Sequence, residues 1–343
     1  MRKHLLSILF FSFFSLSITS QVIDSLDVRL FHVLTAENDT ITFLKTNANI
    51  QVPKPTILFC QGSLPIPLII KTDYEMFVPS INNFNYWDLT DKYNIVVIST
   101  PNTPAIPPKH LINNRFQYTP YLDRKNEFDS LYLKNDYLSN YVKRAEIVLH
   151  FLNQQKWVKK DEISVIGHSQ GSYVALEIAE KNPQIKALGY FAGNPAGRFT
   201  SYIRRARRMH LEKKTTSVEM QMNIDELYIS WKDVLSNKAD KEIQNTAPSL
   251  VSFTLPKWNS LIELNSPIFI AYGTEDFDSA ETSELLPIYF DKCGKINYKM
   301  YPVVGHGHNF EKINDDGSSN WDDMRWDEVL QEFIKWLENL PAK

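Results

Sequence analysis

Short apolar runs recur along this chain, each followed by a polar or glycine-containing stretch: 56–60, 94–99, 162–167, 185–191, 267–272 and 296–301. Runs without polar alternation suit strands buried on both faces. The last run alternates apolar and polar residues, as an edge strand does. Between the runs the period changes to that of a helix. Leu138, Tyr141, Val142, Ala145, Leu149 and Leu152 share one helical stripe. Val174, Leu176, Ile178 and Ala179 form another, stopped by Asn182-Pro183, and Trp326, Val329, Leu330, Phe333 and Leu337 form a third. Alternating strands and helices predict an α/β fold, a mostly parallel sheet flanked by helices on both faces. An opening hairpin at about 26–46 precedes them. Val28, Leu30 and His32 alternate before the polar turn Ala36-Glu37-Asn38-Asp39. His32 is expected to be a strand residue without a chemical role.

Two long segments exceed what a minimal α/β unit needs. Residues 101–136 are rich in Pro, Tyr and Asn and connect a strand end to a helix, so they should drape over the face where the strands end. Residues 195–264 begin with the basic run Arg204-Arg205-Ala206-Arg207-Arg208 and continue past Trp231 to Trp258. They read as an inserted helical cap that governs substrate choice and adds little to the central core. The basic run reads as a solvated helix face. Another reading is a site for an anionic ligand.

Composition narrows the picture. With 43% hydrophobic and 22% charged residues among 343, the chain has the balance of a globular protein. A net charge of −3 gives no nucleic-acid surface. Cys60 and Cys293 have no metal or redox spacing, and Cys60 should end a buried strand unpaired. Residues 1–20 read as a signal peptide: Arg2-Lys3-His4, an apolar run from Leu5 to Leu16, then small polar residues. The run is shorter than the roughly 20 residues of a spanning helix. No cysteine follows it, so no lipid anchor is expected. The expected plan is a leader at 1–20 and one domain at 21–343 with a cap at about 195–264, in a secreted or periplasmic protein.

The chemistry centres on Val165-Ile166-Gly167-His168-Ser169-Gln170-Gly171. An apolar run leads into Gly-x-Ser-x-Gly, and a helical stripe follows at once. This is the nucleophile-elbow pattern, a serine on a sharp strand-to-helix turn. Strand and helix then approach so closely that the positions two before and two after the serine must lack side chains. Gly167 and Gly171 fill those positions in a chain with only 11 glycines. The backbone N–H of Gln170 falls at a helix N-terminus, where developing negative charge is favoured.

These residues resemble the α/β-hydrolase family over about residues 50–340. Gly167–Gly171 carry the resemblance, with Gln61-Gly62 after the first buried run, Gly273-Thr274-Glu275-Asp276 after the fifth and Gly307-His308-Asn309-Phe310 after the sixth. The order Ser, acid, His also matches. The resemblance implies Ser169 as nucleophile, His308 as base and Asp276 as the acid that orients it. It places the oxyanion hole at Gln170 and Ser63, although the family's usual His-Gly reads Gln61-Gly62 here. Glu275 and Asp278 are rival acids and His306 a rival base. Gly-His-x-aromatic favours His308, with Phe310 as the loop's anchor. His110 and His150 should be surface or structural. A serine hydroxyl needs such a base because it is a weak nucleophile unaided. The expected reaction is acyl transfer to water from a small-molecule acyl substrate, an ester first, then a thioester or peptide, with no cofactor or metal. Dehalogenation and epoxide opening are disfavoured, since those relatives carry a carboxylate where Ser169 stands. A non-catalytic binding protein on the same fold is the contrasting reading.

Overall fold

The computed structural model describes residues 17–35, 39–124, 127–238 and 241–341. Residues 1–16, most of the expected leader, lie outside them, as do 36–38 in the hairpin turn. The opening strands are β1 (Ser17–Ile23), β2 (Val28–Leu34), β3 (Thr40–Thr46) and β4 (Lys54–Cys60). A small hairpin, β5 (Ile70–Lys71) and β6 (Met76–Phe77), precedes β7 (Asn94–Ile98). Then come helices α1 (Ser130–Asn135) and α2 (Leu138–Leu152), strand β8 (Val158–His168), helix α3 (Gln170–Lys181) and strand β9 (Leu188–Phe191). Helices α4 (Arg198–Leu211), α5 (Ser217–Leu235), α6 (Lys241–Thr254) and α7 (Trp258–Glu263) follow without an intervening strand. Strand β10 (Ile268–Gly273), helices α8 (Ala280–Glu284) and α9 (Leu286–Lys292) and strand β11 (Tyr298–Val303) continue the chain. A second hairpin, β12 (Glu311–Ile313) and β13 (Ser319–Met324), leads to the final helix α10 (Trp326–Glu338).

Nine strands form one sheet in the order β1-β2-β3-β7-β4-β8-β9-β10-β11. From β7 to β11 neighbours pair in parallel, while β1, β2 and β3 pair antiparallel. The alternation of side chains decides which face each residue serves. Leu58, Val165 and Ile270 pack with α2 and α3, while Ile57, Ile166 and Phe269 pack with α10 on the opposite face. β11 is an edge, and its side chains are only partly buried. The wholly apolar runs are central because only there are both faces covered.

Two features bear on the expected plan. Ser17–Ser20, the end of the expected leader, run in β1 opposite Phe31–Leu34, and the pairing continues unbroken into Gln21–Ile23. The inserted segment is not separate from the core. Phe253, Leu261 and Leu264 are buried in the same cluster as Tyr173, Val174 and Leu188. The apolar face of α6 and α7 closes over α3, so this part of the insertion completes the core. Cys60 ends β4 half-buried and Cys293 is exposed, both as free thiols. Among the described residues no helix is long and apolar enough to cross a membrane.

Candidate active site

Ser169 sits between the end of β8 and the first residue of α3, at φ 56° and ψ −123°. That region is costly for a residue with a side chain and persists only where the surroundings impose it. Here the Ser169 N–H donates to Phe191 O at 3.0 Å, and its carbonyl accepts from Ser172 N at 3.0 Å and Ser172 Oγ at 2.6 Å. A Cβ at Gly167 would collide with the Gly171 carbonyl, and one at Gly171 with the carbonyls of Cys60 and Gln61. The glycines let α3 lie against the ends of β8 and β4.

Asp276 and His308 come from the loops after β10 and β11, and both loops end beside the elbow. His308 Nε2 lies 2.9 Å from Ser169 Oγ, and His308 Nδ1 lies 2.9 Å from Asp276 Oδ2. With Nδ1–H donating to the carboxylate, Nε2 is left to accept from the serine hydroxyl. Asp276 is 2% exposed. Burial pushes its pKa up, but the facing His308, the Ser279 hydroxyl and the Asp278 N–H outweigh it, so the carboxyl stays below its ordinary value. Burial pulls His308 down, and the Asp276 carboxylate more than reverses that, so its pKa is raised. The pair therefore holds a carboxylate against an imidazole made unusually basic.

The rivals are turned elsewhere. His306 is buried with Nδ1 donating to Val304 O at 2.8 Å. Asp278 Oδ2 pairs with Arg205 at 2.8 Å. The aromatic anchor Phe310 is fully buried against Trp326, with ring centroids 4.9 Å apart. Gln170 and Ser63 line the cavity beside Ser169, together with Gly62. Gln170 opens α3, so its N–H has no partner within the helix. Asp276, Asp278 and His308 bring donor atoms within 4.8 Å of one another, the one such group among the described residues. Each is engaged, Asp276 with His308 and Asp278 with Arg205.

Several site residues escaped the sequence reading. His168 is buried, and its Nε2–H donates to the His308 backbone carbonyl at 2.9 Å. Burial, then the neighbouring His308, depress its pKa to about 3, so it is neutral at ordinary pH. The Gln170 side chain bridges two loops, accepting from Arg198 and donating to Asp136 Oδ1 at 2.8 Å. No local pattern marks Asp136 or Arg198. The basic run has a different place from the one expected. Arg204 pairs with Glu281 at 2.6 Å and Arg205 with Asp278, so half of it tethers α4 to the loop that carries Asp276. Above Ser169 lies a cavity of about 690 Å³ lined by the loops after β4 and β7 and by α4 and α6.

The sequence matches no protein-family model and no curated protein. Solved structures do resemble the fold. The acylaminoacyl peptidase of Pyrococcus horikoshii superposes with a TM-score of 0.52 at 13% identity, over 92% of this chain and 42% of that one. An acetyl xylan esterase from Paenibacillus sp. R4 gives 0.50 at 12% identity, over 95% of this chain and 88% of that one. A 2,6-dihydroxy-pseudo-oxynicotine hydrolase gives 0.47 at 12% identity, over 86% of this chain. This chain spans 62% of the length of that hydrolase and 42% of the peptidase. The architecture is the α/β-hydrolase fold.

Proposed function

We propose that this protein is a secreted or periplasmic serine hydrolase that cleaves a carboxylic ester through an acyl-serine intermediate. The observation that supports the reading is the unbroken hydrogen-bond chain from Asp276 through His308 to Ser169 Oγ, with both links at 2.9 Å. His308 takes the hydroxyl proton as Ser169 attacks the carbonyl, then delivers it to the leaving alcohol. Asp276 holds the imidazole tautomer and stabilises the imidazolium. The N–H groups of Gln170 and Ser63 receive the developing oxyanion. Water, activated by His308, releases the acid. Labelling with a fluorophosphonate tests the reading. The wild type should label and Ser169→Ala should not, and turnover of an activated ester should fall by about a million-fold in the variant. A folded wild type that neither labels nor turns over would favour a non-catalytic binding role.

A further inference from the structure

The cavity above Ser169 holds an arginine with no carboxylate of its own. Arg198 lies at the start of α4 and faces the cavity, partly buried. Its guanidinium is held by neutral acceptors: Nη1 donates to Ser249 Oγ at 2.9 Å and Nη2 to Gln170 Oε1. It also lies over the Phe253 ring, 5.2 Å from the centroid. Among the described residues no carboxylate stands within ion-pair distance of it. Its neighbour on the helix, Arg205, already has Asp278, and Arg204 has Glu281. The nearest acid in the network, Asp136, reaches Arg198 only through the Gln170 amide. Asp136 Oδ1 accepts both from that amide and from Tyr141 OH at 2.8 Å, so its charge is already met by donors. A guanidinium carries five N–H donors in a planar fork, and Arg198 spends two. Phe253, Ser249 and Gln170 fix the fork in place, so little rotamer entropy is lost when an anion docks. The amide that holds Arg198 belongs to the residue next to Ser169, and the cation and the serine line the same cavity. The rest of the lining mixes hydrogen-bonding side chains such as Asn82, Asn194 and Ser201 with apolar ones such as Leu64, Ile66 and Phe116, and its acid Asp278 is paired with Arg205.

We infer that Arg198 is the receptor for a carboxylate on the substrate, so that the preferred ester carries a negative charge near its scissile bond. This rests on the hydrolase reading above. The carboxylate belongs to either the acyl part or the leaving alcohol, and two matched pairs of esters distinguish these sources. The mono-4-nitrophenyl ester of adipic acid against 4-nitrophenyl hexanoate places the charge on the acyl side. 4-Acetoxybenzoate against 4-acetoxybenzamide places it on the leaving group. The readout is the ratio of kcat/KM within each pair, because Arg198 also holds Gln170 and its loss will change absolute rates. In the wild type the charged ester should be preferred at least about tenfold in one pair, the discrimination of a single charge-assisted contact. Arg198→Gln should bring that ratio close to one, and Arg198→Lys should restore part of it. A wild-type ratio of one or less in both pairs overturns the inference while leaving the hydrolase reading intact, since the neutral esters still turn over. A preference that persists undiminished in folded Arg198→Gln overturns it too. Should that variant fail to fold, inhibition of the wild type decides: adipate or 4-hydroxybenzoate should inhibit more strongly than the matching amides, and equal inhibition sinks the assignment. Turnover of none of the four esters overturns the inference, and failure to label with the fluorophosphonate as well removes the hydrolase reading.

Discussion

Ser169 and its neighbours show how single residues carry the site. The backbone of Ser169 is held at φ 56° by hydrogen bonds on both of its peptide groups, which raises its hydroxyl toward His308. Two histidines in one short loop make a direct comparison. His308→Ala should lower kcat on an activated ester at least about a thousand-fold, the scale of removing a triad member. His306→Ala should cost far less, and the reverse ranking in folded variants would overturn the assignment. Because His308 is raised above its ordinary 6.5, the proposed base would be protonated and unavailable below that raised value. The acid limb of kcat/KM should therefore have its midpoint above 6.5, which a pH–rate profile measures. His168 works in the other direction. Its folded pKa of about 3 lies below the ordinary 6.5, so in that window the unfolded chain binds a proton that the folded one refuses. Stability contributed by neutral His168 is complete above pH 6.5 and is lost as pH falls toward 3, at up to about 1.4 kcal/mol per pH unit. Urea unfolding at pH 6 and pH 4.5 should show a smaller loss in His168→Gln than in the wild type. An equal loss would place the acid sensitivity elsewhere.

At the scale of elements, the elbow is a three-way junction of β8, α3 and the end of β4. Gly171→Ala tests it without touching the triad. The added methyl would meet the carbonyls of Cys60 and Gln61, which belong to backbone and cannot swing aside. Chemical denaturation should show a loss of about 1–3 kcal/mol or more, and activity should fall with it because the displaced helix carries the Gln170 N–H. An alanine variant as stable as the wild type would mean that α3 can retreat freely. The tether between α4 and the Asp276 loop is of a different kind. Glu281 is largely exposed, as is Arg205, so these ion pairs contribute little to stability, about 0–1 kcal/mol each. Their consequence is positional: they join the insertion to the loop that holds the acid.

Across the whole molecule, the sheet, the helices on its two faces and part of the insertion form one continuous packing. The N-terminal edge strand is largely exposed. Ile18, Thr19 and Ser20 are exposed along β1, which pairs only with β2. Removal of residues 1–20 would leave Gln21–Ile23 still paired with Val28–Leu30 and leave the core side chains untouched. The intact mass of protein from its native host should correspond to a chain beginning near Gln21. A mass that retains Met1–Ser20 would remove the secretion reading.

The elements most legible in the sequence are those whose signal is local. Uninterrupted apolar runs marked β4, β7, β8 and β10 because both faces of each are covered. The stripe of Trp326, Val329, Leu330, Phe333 and Leu337 marked α10, which covers one of those faces. Gly-x-Ser-x-Gly marked Ser169 because the turn's sterics demand those residue types at that spacing. The pattern was blind wherever the answer depends on the path of a loop. It favoured His308 by Gly-His-x-aromatic and Asp276 by resemblance while leaving His306, Glu275 and Asp278 as rivals, and the folded backbone turns Asp276 and His308 toward Ser169. It read Arg204–Arg208 as a solvated face, because the acids that meet Arg204 and Arg205 lie more than 70 residues later. It gave no sign of Arg198, Gln170 and Asp136 as a unit. Periodicity reports which face of an element is covered, whereas contacts between distant loops are settled only when the sheet brings their ends to one edge.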